Sequence, residues 1–496
     1  MSKKMPMFYS ALLLTGVNLL LRFIGTGFQV YLSGRIGAEG IGLLQLVLSV
    51  GSLALSVGMG GIRTATMYLC AEVVGQKRTR HMGWVLSGCI AYSILVSGCV
   101  SFLLYLFAPL IATGWIGEAD TYSAIRLFAA FLPVSCLCGV MVGYYTGVNR
   151  IGTLAAVEVA EQFCAMAVTV LLLRFWAGRD AVKACQAVIG GSGIGACLTL
   201  LVLVYIKHTR KETAAERIPM RKRLWETAVP LAIADTAKAG ISTTENLMVP
   251  KRLALYPGTA SALADFGMVC GMVFPVLMFP AAILFGLAEL LIPEMARCSA
   301  AGSMVRIRHL SERSLLLALL YGCLCGGILF LAAEPLCIRL YHTPDAGIYL
   351  RWFAVLAPML YCDAITDAMT KGLGQQKICV RNNIITSAMD VILLFVLLPR
   401  YGMRGYFASF LITHLLNFLL SIRLLAKLIG RVISGRTAFA CIAATVCAVA
   451  AAGFVKAGIL ACGAFVLLFG ALLTLLGVVR KEDFAWFKGL ILSARK

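Results

Sequence analysis

The chain has 496 residues, of which 60% are hydrophobic and only 14% charged, with a formal net charge of +21. A soluble protein carries about 25% charged residues, so a mean hydropathy of +0.89 excludes a soluble enzyme and predicts an all-α, multi-pass integral membrane protein. The surplus Lys and Arg fall in short segments between apolar runs, which points to membrane topology and anionic lipid headgroups, not to nucleic acid.

The chain opens on MSKK and an apolar run. That run is too long for a cleaved leader, holds Arg22 and lacks a small-residue cleavage site. Apolar segments of membrane-crossing length then recur near 9–33, 41–69, 83–112, 123–146, 155–176, 184–207, 225–249, 265–293, 314–333, 350–371, 384–400, 405–426, 437–455 and 457–479, about 14 transmembrane helices in all. With both termini placed in the cytoplasm, about 29 Lys and Arg fall inside against about 9 outside, as the positive-inside rule requires. The basic clusters are QKRTRH (76–81), KHTRKETAAERIPMRKR (207–223) and RIRHLSER (306–313).

In the first span, LLLTGVNLLLRFIGTGFQV (12–30), the residues Asn18, Arg22, Gly25 and Gln29 follow at intervals of four, three and four. That spacing puts them on one helical face. The second span reads the same way with Gln45, Ser49, Ser52, Ser56 and Arg63, and the seventh with Asp235, Lys238, Ser242 and Glu245. Weaker stripes are Glu158 and Glu161 in the fifth span, Asp363, Thr366, Asp367 and Thr370 in the tenth, Asn383, Thr386 and Asp390 in the eleventh, and His414, Asn417 and Ser421 in the twelfth. Single Ser, Thr and Asn residues are read as hydrogen-bonding glue between helices. Arg22 and Lys238 are too costly in hydrocarbon for that role and predict a wet interior. Asp235 and Glu245 either neutralise Lys238 or bind an ion. Arg63 and Arg126 lie nearer the membrane faces, within snorkelling reach.

Segments 125–147 and 350–372 align without a gap. Arg126, Phe128, Ala129, Pro133 and Gly147 meet Arg351, Phe353, Ala354, Pro358 and Gly372 at a constant offset of 225 residues. Each is the fourth span of a set of six, so the two sets are parallel repeats related by an axis along the membrane normal. The expected organisation is an N-terminal six-helix lobe (1–207), a basic cytoplasmic linker (208–224), a C-terminal six-helix lobe (225–430), an accessory transmembrane pair facing lipid (437–479) and an amphipathic cytoplasmic tail (480–496), with the lobes enclosing a central cavity.

Other motifs are negative. GGSGIG (190–195) lies inside the sixth span with no following Lys-Ser/Thr, so it reads as close helix packing and not as a phosphate loop. The 18 cysteines include no CxxC pair, and neither a zinc site nor a disulfide framework is expected. No metal or cofactor is expected.

Three stretches, YLSGRIGAEGIGLLQ (31–45), ENLMVPKRLALYPG (245–258) and FPAAILFGLAELLIPEMA (279–296), resemble the stage V sporulation protein B branch of the oligosaccharide flippases. That branch lies within the multidrug/oligosaccharidyl-lipid/polysaccharide exporter superfamily, which also holds the lipid II flippases. The resemblance implies two six-helix lobes around a V-shaped cavity and transport of lipid-linked cell-wall or polysaccharide precursors. The lipid II flippases are similar in having basic residues in their first two spans, where Arg22 and Arg63 stand here. They also have one in the eighth, where this chain has Glu289 and no Lys or Arg before Arg297.

Residues and resemblance together predict a transporter, not an enzyme. It would bind a polyprenyl diphosphate sugar through Arg22, Arg63, Lys238, Asn18, Gln29 and Gln45. Asp235, Glu245 or Glu161 would take a coupling proton or sodium ion, unless membrane potential alone drives transport. Partners would be the lipid-linked sugar, anionic membrane lipids and cell-wall synthesis proteins, at a bacterial-type cytoplasmic membrane. The alternatives are a cation-coupled multidrug extruder, a membrane glycosyltransferase or polymerase, and a non-transporting scaffold.

Overall fold

The computed structural model describes residues 7–76, 81–178, 180–208, 221–430, 432, 434–455 and 458–478. The predicted amphipathic tail (480–496), most of the basic linker and residues 77–80 lie outside them. Every described element is a helix, as hydrocarbon demands, because only a helix satisfies its backbone within its own segment.

The chain forms two compact units. The first comprises Met1–Gly271 with Ser387–Tyr406. It contains α1 (Met7–Met59), α2 (Ile62–Gly75), α3 (Met82–Ile111), α4 (Tyr122–Gly147), α5 (Ile151–Leu172), α6 (Ala181–His208), α7 (Arg221–Leu253) and α8 (Ala262–Gly267). The second comprises Met272–Thr386 with Phe407–Lys496 and contains α9 (Phe274–Met278), α10 (Ala281–Ala300), α11 (Met304–Tyr341), α12 (Asp345–Ala354), α13 (Ala357–Gly372), α16 (Gly435–Ala452) and α17 (Gly458–Leu475). The helices α14 (Gln376–Tyr401) and α15 (Met403–Ile429) contribute residues to both.

Among the described residues, ten helices are long and apolar enough to cross a membrane, or up to 12 if each of two bent pairs makes one span. One such pair, α12 and α13, bends by 53°. The fourteen spans read from the sequence also separate 9–33 from 41–69 and count the charged α7. The first two run on as α1, broken only at Gly37, whose φ of 72° and ψ of 178° suit glycine alone.

The second predicted span is interrupted. Gly60 and Gly61 take φ of +48° and +68° between α1 and α2, so Arg63 starts a new helix. This corrects the single stripe drawn from Gln45 to Arg63, because two left-handed residues reset the helical phase that the stripe relied on. Gly61 is also a point of close approach, since a Cβ there would lie 2.4 Å from the Ala228 carbonyl oxygen.

Within unit 1, α7 is tied to α1. Thr243 Oγ1 donates to the Ser49 carbonyl at 3.0 Å, and Asn246 Nδ2 to Ser49 Oγ at 2.9 Å. The glycine run on α6 packs as its sequence suggested. A Cβ on Gly191 would meet Thr169 Oγ1 at 2.1 Å, and one on Gly193 the Phe131 ring at 2.3 Å. Within unit 2, the accessory pair does more than face lipid. Phe465 of α17 is fully buried, and a Cβ on Gly327 of α11 would come within 2.2 Å of its ring.

Gly61→Ala therefore adds a steric clash to a left-handed backbone. Gly117, with φ of 93° and nothing within 4 Å of a Cβ, carries only the conformational cost of about 1 kcal/mol. In detergent, Gly61→Ala is expected to lower the thermal midpoint clearly more than Gly117→Ala; equal shifts would refute the close approach.

Candidate functional site

The apolar run of α7 is broken by Asp235, Lys238 and Glu245. Asp235 and Lys238 are both exposed, and among the described residues neither makes an ion pair. The neutralising role open to Asp235 from sequence is thus not taken up, and Lys238 keeps an ammonium without an acidic partner. Its neighbour seven residues on has a different environment. The Glu245 side chain lies against that of Asp390 on α14, two carboxyls in one neighbourhood. Beside them, Cys270 Sγ and the Tyr406 hydroxyl lie 3.9 Å apart, in a π-helical segment (Met268–Val273) and on α15.

A second constellation joins α2, α5 and α6. The exposed Arg63 acts electrostatically on Glu158, which also senses Glu161 one turn along. The Thr199 hydroxyl of α6 donates to Glu161 Oε2 at 2.9 Å. Unit 1 thus carries a guanidinium and two carboxylates within one neighbourhood, with a hydroxyl to orient one of them.

The remaining predicted residues are placed less tightly. Arg22 is exposed on α1, where its carbonyl accepts from Thr26 Oγ1 at 2.9 Å. Gln29 Nε2 donates to the Gly271 carbonyl at 3.2 Å. Gln45 is half-buried, and the Asn18 side chain lies outside the described residues. Sequence reasoning gave Thr199 and Tyr406 no role and left Asp390 as one member of a stripe. Only Asp390 had a usable signal, a carboxylate in an apolar span.

Unit 2 has a different character. Its polar stripes pair with each other: Asn417 Nδ2 donates to Asp363 Oδ2 at 2.9 Å, and Lys371 meets Asp367 at 2.6 Å. Between α11, α13, α15 and α16 lies a cavity of about 910 Å³, walled by residues such as Leu319, Phe330, Met359, Phe418, Ile442 and Val446. Among the described residues, no charged side chain lines it.

Residues 14–155 match the MatE family. Stage V sporulation protein B of Bacillus subtilis is 22% identical over 79% of this chain and 78% of its own length. The lipid II flippase MurJ in an inward closed conformation superposes with a TM-score of 0.71 at 13% identity, covering 94% of this chain and 98% of that one. A multidrug resistance MATE transporter of the MOP superfamily, inward-facing, superposes at 0.65 and 15% identity, covering 84% and 98%. The chain shares the fold of these two transporters and is similar in sequence to stage V sporulation protein B. The cations and carboxylates predicted to form the site, Arg22, Arg63, Lys238, Asp235, Glu245 and Glu161, all belong to unit 1, and unit 2 offers the large apolar cavity.

The Glu245–Asp390 contact has a measurable consequence. Two carboxyls so placed repel whenever both are charged. Glu245→Gln removes that repulsion and offers an amide donor to Asp390 instead. Glu245→Gln is therefore expected to unfold in detergent at a higher temperature than the parent. A less stable variant would show that the two side chains do not oppose each other.

Proposed function

We propose that the chain is a flippase that moves a lipid-linked oligosaccharide or peptidoglycan-type precursor, a polyprenyl diphosphate sugar, across the cytoplasmic membrane by alternating access, for cell-wall, spore-cortex or polysaccharide synthesis. The observation that carries this reading is Lys238, an exposed ammonium in the middle of α7 with no acidic partner among the described residues. A charge so placed is costly in hydrocarbon and is retained where an anion passes. Arg63 and Arg22, both exposed, supply guanidinium groups suited to two-pronged contacts with diphosphate oxygens. The apolar cavity in unit 2 suits the other half of the substrate, because a prenyl chain gains from leaving water and asks for no polar partner. Support also comes from the relatives, one a sporulation protein and one a lipid II flippase.

Glu245 with Asp390, and Glu161 with Thr199, are assigned to ion coupling. A carboxyl pair that binds one proton, or exchanges it for sodium, can tie conformational change to an ion gradient. The same carboxyls favour one second reading, extrusion of cationic drugs by a chain of the same fold.

Proteoliposomes decide between them. Labelled lipid-linked precursor should become accessible on the opposite leaflet. Arg63→Ala and Lys238→Ala should each slow its appearance by about tenfold or more, the worth of one charge-assisted contact. Efflux of a cationic dye, unaffected by these substitutions and without precursor movement, would overturn the flippase reading.

A further inference from the structure

Unit 1 contains a second cavity that the residues above do not use. It measures about 850 Å³ and lies among α1, the π-helical end of α3, α7 and α14. Along α7 it runs from Ala237 to Arg252, which at the helical rise is about 22 Å. Its walls are mostly apolar, with Leu53, Ile241, Met248 and Val391 among them. Two cations, Lys251 and Arg252, stand at one end.

What anchors those cations is neutral. Lys251 Nζ donates to the Gly114 carbonyl, and the Arg252 guanidinium sits 3.2 Å from the centroid of the Phe395 ring. Among the described residues, no carboxylate lines the cavity and neither cation forms an ion pair. Basic residues in a last helical turn also complement the helix dipole, but dipole compensation alone requires no 22 Å apolar trough beside them. Trp115, half-exposed at the same end, is the residue type that sits where headgroups meet hydrocarbon.

We propose that this cavity is a binding site for a phosphorylated membrane lipid. Its phosphate or diphosphate would sit between Lys251 and Arg252, and its chain would lie along α7 towards Ala237. The role assigned to it rests on the flippase reading. With both termini in the cytoplasm, α7 ends at the outer face, so the site holds the headgroup after translocation. The binding itself does not depend on transport and is tested without it.

The purified full-length chain in a neutral maltoside detergent is titrated with dioleoyl phosphatidic acid, with a phosphatidylcholine of the same chains, and with inorganic pyrophosphate. Bound lipid is counted by native mass spectrometry. Phosphatidic acid should bind at least tenfold more tightly than phosphatidylcholine. Pyrophosphate, lacking a chain, should not compete at equal concentration. Lys251→Gln/Arg252→Gln should lose at least tenfold in phosphatidic acid binding, and Lys251→Arg should retain it. Ala388→Trp fills the trough and leaves both cations in place, so it should weaken phosphatidic acid as well. This variant decides the matter if the double variant does not fold. Parent-like binding by either the folded double variant or Ala388→Trp overturns the proposal, and so does competition by pyrophosphate, which would mark a free-anion site. Intact flipping in Lys238→Ala, together with loss of phosphatidic acid binding in Lys251→Gln/Arg252→Gln, would overturn the flippase assignment of Lys238 and leave this site standing.

Discussion

Hydrocarbon offers no hydrogen bonds, and that one property orders the whole molecule. It forces the backbone into helices and then asks every polar side chain to find a partner or a use. Most hydroxyls find the nearest partner, a carbonyl one turn back in their own helix. Ser49, Thr146, Thr169, Thr366, Thr386, Thr413 and Thr445 all donate to the residue four positions earlier. Such bonds satisfy the group locally and hold no helix to its neighbour. The smaller set that crosses between helices therefore fixes tertiary structure. Tyr145 reaches the Leu203 carbonyl at 2.9 Å and Tyr361 the Leu277 carbonyl at 2.7 Å. These buried tyrosines add to the interhelical bonds of Ser101, Thr199, Thr243 and Asn246, the glue expected of such residues.

Lipid tails are as apolar as leucine, so helices associate through close packing, not through a hydrophobic drive. The glycines of α6 and the Gly327–Phe465 contact supply that packing. Where two faces fit, the membrane interior needs no further bond. Charged groups cannot be treated in this way. They either meet each other, as Lys371 and Asp367 do, or stand exposed, as Lys238 and Arg63 do. This division separates charges neutralised within the fold from those left exposed.

The sequence disclosed periodic features and missed those that cross between helices. The α7 stripe was readable because the helix runs unbroken past Pro230, so 3.6-residue spacing holds from Asp235 to Glu245. The Arg63 stripe was misdrawn because two adjacent glycines look the same in a sequence whether helical or left-handed. The Glu245–Asp390 pair joins residues 145 positions apart, a contact that no local spacing encodes. Tyr406 carried no sequence signal, since a tyrosine near a span end is the commonest of interfacial residues. The apolar groove was hidden for the opposite reason, because its lining is indistinguishable from a lipid-facing surface.

The internal repeat adds a last distinction. Arg126 and Arg351 occupy matching positions in the two sets of spans, yet they are handled differently. Arg351 is paired with Glu334 at 3.1 Å, so its charge is neutralised within its own unit. Arg126 lies over two aromatic rings instead, 4.7 Å from the centroid of Tyr105 and 5.2 Å from that of Tyr122. Its Nε has no hydrogen-bond partner among the described residues. Aromatic faces stabilise a cation without cancelling it. At matching positions of the two sets of spans, the same residue type is thus neutralised in one place and held by aromatic rings in the other.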